Sequence, residues 1–156
     1  MTPPGSRMVV IGVGNEYRRD DGVGPHVVAR LRDRVPRGVE LVVSEGEPAD
    51  MLEAWDGARL AVVVDAVRAV PSVPGRLHRV VVGTTETVPA TAVSSHGLGV
   101  EAAAALAAAL DRLPARLIVH AVEVADTTQG VGLTPEVAAA ADALAAAVLR
   151  DLTSTA

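Results

Sequence analysis

The 156-residue chain reads as an α/β protein with a mainly parallel sheet and helices on both faces. Three observations predict this. Short apolar runs rich in β-branched residues alternate with amphipathic or alanine-rich stretches along nearly the whole sequence. The runs Leu60–Val64 and Leu117–Val124 are almost continuously apolar, as strands covered on both faces must be. The first run, Met8–Val13, ends in Gly14-Asn15 and passes through a charged loop into a helix, a unit that sets side chains at the carboxyl edge of a sheet.

In chain order, Met1–Ser6 with Pro3-Pro4-Gly5 is expected to be a flexible tail, and the rest, within 1–156, a single domain. A strand over Met8–Val13 leads through Glu16–Asp21 to a helix with Pro25 as its first helical residue, buried through Val27, Val28, Leu31 and Val35. Pro36-Arg37-Gly38 ends it. Val39–Ser44 reads as a strand, Ala49–Trp55 as a short amphipathic helix, and Leu60–Val64 as a central strand ending in Asp65. Arg76–Val82 alternates like a strand nearer an edge, and Gly83–Ser95 reads as a loop. Gly97–Leu113 is an alanine-rich helix, Leu117–Val124 a buried strand and Ala125–Leu133 a loop. Thr134-Pro135-Glu136 opens the last helix, which runs to Leu152.

Composition excludes several functions. With no Cys there is no disulfide, thiolate nucleophile or thiolate metal site, so a metal would be held by His and carboxylates. A net charge of −5 with no basic stripe argues against nucleic acid as a partner. No apolar stretch approaches the ~20 residues of a membrane span, and the N-terminus shows no signal-peptide pattern, so a cytoplasmic protein without membrane contact is expected. The interior has to be Val, Leu and Ala, since Phe is absent and Trp55 and Tyr17 are single.

Three readings compete for the segment from Gly12 to Pro25. A dinucleotide fingerprint needs a third glycine where Tyr17 stands, and Asp20 and Asp21 would repel a pyrophosphate. Asp21 as a helix cap is the structural alternative. The third is a metal or substrate site on the acidic pair. Asp65 at the mouth of a buried strand needs a partner or solvent, and His96 stands just before a helix, so Asp21, Asp65 and His96 would gather at one edge. Two carboxylates and an imidazole suit nickel, zinc, manganese or iron alike. The bland readings are a loop-bonding Asp65 and a loop His96; His26 and His78 are weaker candidates, and His120 reads as a satisfied core residue. Ser94-Ser95-His96 lacks the third member and the geometry of a serine triad.

Four motifs in order, Gly12-Val13-Gly14-Asn15 with Asp20-Asp21-Gly22-Val23-Gly24, Asp65-Ala66-Val67, Ser94-Ser95-His96-Gly97-Leu98-Gly99 and Gly132-Leu133-Thr134-Pro135-Glu136-Val137, resemble the hydrogenase maturation endopeptidases over nearly the whole chain. The resemblance implies a three-layer α/β/α sandwich. It also implies an aspartyl-type endopeptidase that removes the C-terminal extension of a nickel–iron hydrogenase large-subunit precursor after nickel insertion. By that resemblance the metal ligands are Asp21, Asp65 and His96, Asn15 and Gly97 contact substrate, and the metal is nickel, the substrate's own or replaced by zinc or cadmium. The family's first ligand is Glu or Asp, so Asp21 is the shorter form. Two departures bear on the choice of precursor: Glu45-Gly46-Glu47-Pro48 replaces a Gly-Thr turn, and Ser95 and Gly97 stand where Pro and a larger polar residue are frequent.

Two mechanisms follow from the resemblance. In one the ligands read the nickel already in the precursor; in the other a bound metal polarises the carbonyl and activates water, with Asp21 shared between metal and catalysis and Asp20 as base. The expected enzyme is a monomer. The alternative is a non-cleaving module that binds nickel or the precursor.

Overall fold

The computed structural model describes residues 6–82, 93–94 and 99–154. Most of the tail expected over 1–6 lies outside them. Strands β1 (Met8–Val13), β2 (Val39–Ser44), β3 (Leu60–Arg68), β4 (Leu77–Val81), β5 (Val93–Ser94) and β6 (Arg116–Glu123) share one sheet. Helices α1 (Val23–Leu31), α2 (Pro48–Trp55), α3 (Gly99–Ala109) and α4 (Pro135–Ser154) flank it. The strand order is β2-β1-β3-β6-β4, with β5 pairing only with β3. β2, β1, β3 and β6 are parallel, whereas β4 and β5 run antiparallel to their neighbours.

The period-two alternation of the strands builds the two outer layers. Val10, Val62, Val64, Ala66 and Ile118 point one way and pack on Val27, Val28 and Leu31 of α1 and on Val137, Leu144 and Val148 of α4. Val9, Ile11, Val13, Ala61, Val63 and Leu117 point the other way, onto Met51, Leu52 and Trp55 of α2 and Val100, Ala103 and Ala107 of α3. This is the expected three-layer α/β/α sandwich. Alanine-rich helices suit it, because small side chains such as Ala103 and Ala107 let α3 pack closely beside α2 over this face. Glycine does the same for α1: a Cβ on Gly24 would stand 2.5 Å from the Val13 carbonyl oxygen and 2.9 Å from that of Val64. No helix among the described residues is long and apolar enough to cross a membrane.

Several boundaries differ from the sequence reading. β3 does not stop at Asp65; it runs to Arg68, because Asp65, Ala66 and Val67 continue the ladder with Ala121, Val122 and Glu123 of β6. The segment read as a loop up to Ser95 contains β5, whose Ser94 and Val93 pair with Val67 and Arg68. A 3₁₀ turn, Arg19–Gly22, occupies the acidic loop, and α1 follows from Val23, two residues before the expected first helical residue, Pro25. Pro25 is then its third residue, where no intrahelical N–H donor is needed. α1 is regular to Leu31 and loosens into turns before Pro36. α3 ends at Ala109, earlier than Leu113, as Asp111 takes φ 55° and the Arg112 N–H turns back to the Ala107 carbonyl.

Two buried acids lock the antiparallel edge. Glu123 accepts from the Val73 N–H at 3.0 Å and lies 2.7 Å from His78 Nε2, tying β6 to the segment leading into β4. Asp151 on α4 meets His120 Nε2 at 2.6 Å and Arg79 Nη2 at 2.9 Å, so His120 is the satisfied core histidine expected. Burial opposes ionisation of Asp151, but the His120 and Arg79 hydrogen bonds outweigh it and hold the carboxyl below its ordinary range. A depressed folded-state pKa contributes stability that is complete above the ordinary value of about 3.9 and is lost as pH falls through the lower folded-state value. Asp151→Asn is therefore expected to cost about 2–3 kcal/mol at pH 7. Urea unfolding from pH 7 towards pH 3 should show the gap between variant and parent closing only below about pH 4; a gap independent of pH would contradict this.

Candidate functional site

β1 is the point at which the chain changes direction across the sheet. From β1 it passes through α1 to β2 on one side, while β3 lies on the other. In open α/β sheets ligands occupy the crevice outside the carboxyl ends of such strands. Gly12 pairs with Val64 at the end of the shared ladder, so the next residues, Val13-Gly14-Asn15 and Asp65, border the crevice. Beyond it β3 continues with β5 instead of β1.

Three acidic residues near this end of the sheet have almost no contact with water: Asp20 at 0%, Asp21 at 1% and Asp65 at 2% exposure. Asp65 shares the parity of Ala61 and Val63, whose side chains face the α2–α3 layer. Asp21 sits in the 3₁₀ turn that crosses the end of β1, and the Asn15 N–H donates to its Oδ2 at 2.9 Å. The Asn15 side-chain oxygen accepts from the Tyr17 N–H at 2.9 Å and closes the local turn. Gly14 is obligatory here: its φ is 146°, and a Cβ would stand 1.9 Å from the Asp21 carbonyl oxygen.

Asp20 is oriented differently. Its Oδ2 accepts from the Ala125 and Asp126 N–H groups, both at 3.0 Å, and its Oδ1 from the Thr134 N–H at 2.7 Å. The Thr134 hydroxyl lies 3.0 and 2.8 Å from the two oxygens. With both oxygens engaged by the loop before α4, this geometry favours a structural anchor over the base expected from adjacency to Asp21. No signal within the acidic pair distinguished the two residues; the partner lies 114 positions away.

His96 and Gly97 lie outside the described residues, so the third expected ligand and the second expected substrate contact have no geometry here. Among the described residues no group of three His, Cys, Asp or Glu side chains could hold a metal ion. The other histidines are placed elsewhere: His78 and His120 belong to the locks on Glu123 and Asp151. His26 lines a cavity of about 340 Å³ between α1 and the start of α4, with Gly22, Pro25, Val131, Leu133 and Ala138. Burial, then the neighbouring Arg30, holds its imidazole below the ordinary range. Neither Asp21 nor Asp65 lines that cavity.

A doubly wound sandwich with buried carboxylates beside its switch point belongs to the α/β architectures that hold ligands at their strand ends, and comparison with known proteins narrows the class. The family model for hydrogenase maturation protease, HycI, matches residues 25–151. The chain belongs to the hydrogenase maturation protease family and is a protease of that family. Among solved structures it is similar to the hydrogenase maturating endopeptidase HybD from E. coli, with a TM-score of 0.80, 23% identity, and coverage of 96% of this chain and 93% of that one. The [NiFe] hydrogenase maturation protease HybD from Thermococcus kodakarensis gives a TM-score of 0.75 at 20% identity, covering 94% and 99% of the two chains. HycI from Thermococcus kodakarensis KOD1 gives 0.64 at 21%, covering 94% and 92%. No curated protein gives a significant match.

The close approach at Gly14 yields a direct expectation. Gly14→Ala has to displace the 3₁₀ turn or strain the backbone, at a cost of roughly 2–5 kcal/mol. Urea unfolding measures it, and an unchanged midpoint would mean that the turn does not rest on Gly14.

Proposed function

We propose that this protease removes the C-terminal extension of a nickel–iron hydrogenase large-subunit precursor after nickel insertion, and that it reads the precursor's nickel through Asp21, Asp65 and His96. The observation that supports this reading is the placement of Asp21 and Asp65, both almost excluded from water, beside the end of the β1–β3 ladder in a member of the maturation protease family. A divalent cation arriving with the substrate is attracted to carboxylates held away from water, where charge attraction is strongest.

The proposed donor set accommodates nickel(II), as it would zinc, manganese or iron. The parity of Asp65 turns it towards the α2–α3 layer, and in the sequence His96 comes shortly before the first residue of α3, Gly99. The ligands then serve as a reader: nickel docks the precursor, and docking sets the scissile bond beside the crevice, an entropic contribution. Asn15 and Gly97 contact the bound chain, Asn15 through its side-chain amide N–H groups. Asp20 is left out of the chemistry, because its oxygens are occupied. The enzyme acts as a cytoplasmic monomer on this partner.

The test follows loss of the C-terminal peptide by mass with purified protein and either nickel-loaded or nickel-free precursor. The loaded form should be cut and the nickel-free form left intact. Asp21→Asn, Asp65→Asn and His96→Ala should each lower processing on the order of 100-fold or more, as expected when substrate positioning is lost, while His26→Ala cuts normally. Equal cleavage of both forms would rule out the reader, and tight binding without any cleavage would favour the non-cleaving module.

A further inference from the structure

We infer that Asp20 and Thr134 are positioning residues: together they clamp the loop 125–134 to the 3₁₀ turn, and the clamp aims Asp21 into the crevice. The inference rests on the reading of Asp21 as a ligand of the precursor's nickel. It starts from the geometry of the turn. In a 3₁₀ helix three residues complete a turn, so successive side chains diverge by about 120°. Asp20 and Asp21 therefore cannot face the same way, and fixing one fixes the other.

Asp20 is fixed from outside the turn. Its carboxylate takes hydrogen bonds from the Ala125, Asp126 and Thr134 N–H groups and from the Thr134 hydroxyl. The two backbones are also zipped together. The Gly130 N–H donates to the Tyr17 carbonyl at 2.8 Å, the Arg19 N–H to the Gly130 carbonyl at 2.9 Å, and the Asp20 N–H to the Asp126 carbonyl at 2.9 Å. Arg19 is held at φ 49°, a conformation rare for a side-chain-bearing residue, which sets the twist with which the chain enters the turn. Its guanidinium lies over Gly130, where a Cβ would stand 2.8 Å from Arg19 Cζ.

Asp21 is the residue whose aim matters. An Asp carboxylate hangs from a single methylene, so its reach is dictated by its backbone. The aim has a local reporter: the Asn15 N–H, 2.9 Å from Asp21 Oδ2. Asp20 and Thr134 make their contacts on the far side of the turn, so a purely structural role for them would leave that amide unchanged.

The test is the Asn15 amide proton resonance of the full chain, measured beside cleavage of nickel-loaded precursor. In Asp20→Asn and Thr134→Val the resonance should move upfield as the bond to Asp21 lengthens, and cleavage should fall by about 10- to 100-fold. Thr134→Ser, which keeps the hydroxyl, should restore both. If Asp20→Asn fails to fold, Thr134→Val, an isosteric change, carries the test. A folded variant whose Asn15 resonance stays at the parent position overturns the clamp, whatever its activity. A shifted resonance with undiminished cleavage leaves the clamp standing and instead sinks the reading of Asp21 as a nickel ligand.

Discussion

A carboxylate shut away from water has to find its hydrogen bonds inside the fold, and Asp20 finds them in the segment just before α4. That constraint joins parts of the chain more than a hundred residues apart. It draws the first loop and the last loop together over the end of β1, and it places a negative charge by the start of α4, the positive end of that helix dipole. The site is then built on two supports. One is the sheet, which carries Asp65 within a nine-residue strand. The other is the 3₁₀ turn, which carries Asp21 and is itself held by Asp20 from one side and by the close contact with Gly14 from the other.

The parts of the fold visible in the sequence were those set by local chemistry. Continuous Val-rich runs gave β1 and β3, Thr134-Pro135 marked the start of α4, and the alternation of strands with helices implied the layers. What was hidden depended on distant partners. β3 extends past Asp65 because β6 and β5 continue to accept its hydrogen bonds, which no property of residues 65–68 announces. The pairing of His120 with Asp151 was visible only as a polar residue inside an apolar strand. For the site, adjacency made Asp20 and Asp21 look equivalent. The fold separates them, since in a 3₁₀ turn one faces the loop before α4 and the other faces Asn15.

The division of labour among the acids follows from their partners. Glu123 and Asp151 are matched by His and Arg side chains and secure the antiparallel edge. Asp20 is matched by neutral N–H and hydroxyl donors and secures a loop. Asp21 and Asp65 lie beside the switch point, where open α/β sheets commonly hold ligands. Under the proposed reader mechanism the protease would also gain its timing, since the substrate would become recognisable only after its metal has been inserted.

The central claim is that the precursor's nickel enters the coordination of this protein. Nickel-edge X-ray absorption, recorded on nickel-loaded precursor frozen with and without the protease, tests it most directly. The account predicts additional oxygen and nitrogen neighbours at about 2.0–2.2 Å, the usual range for carboxylate and imidazole ligands of a divalent first-row metal, with the oxygen contribution reduced in Asp65→Asn. A nickel shell that is unchanged in a complex that forms and is processed would contradict it.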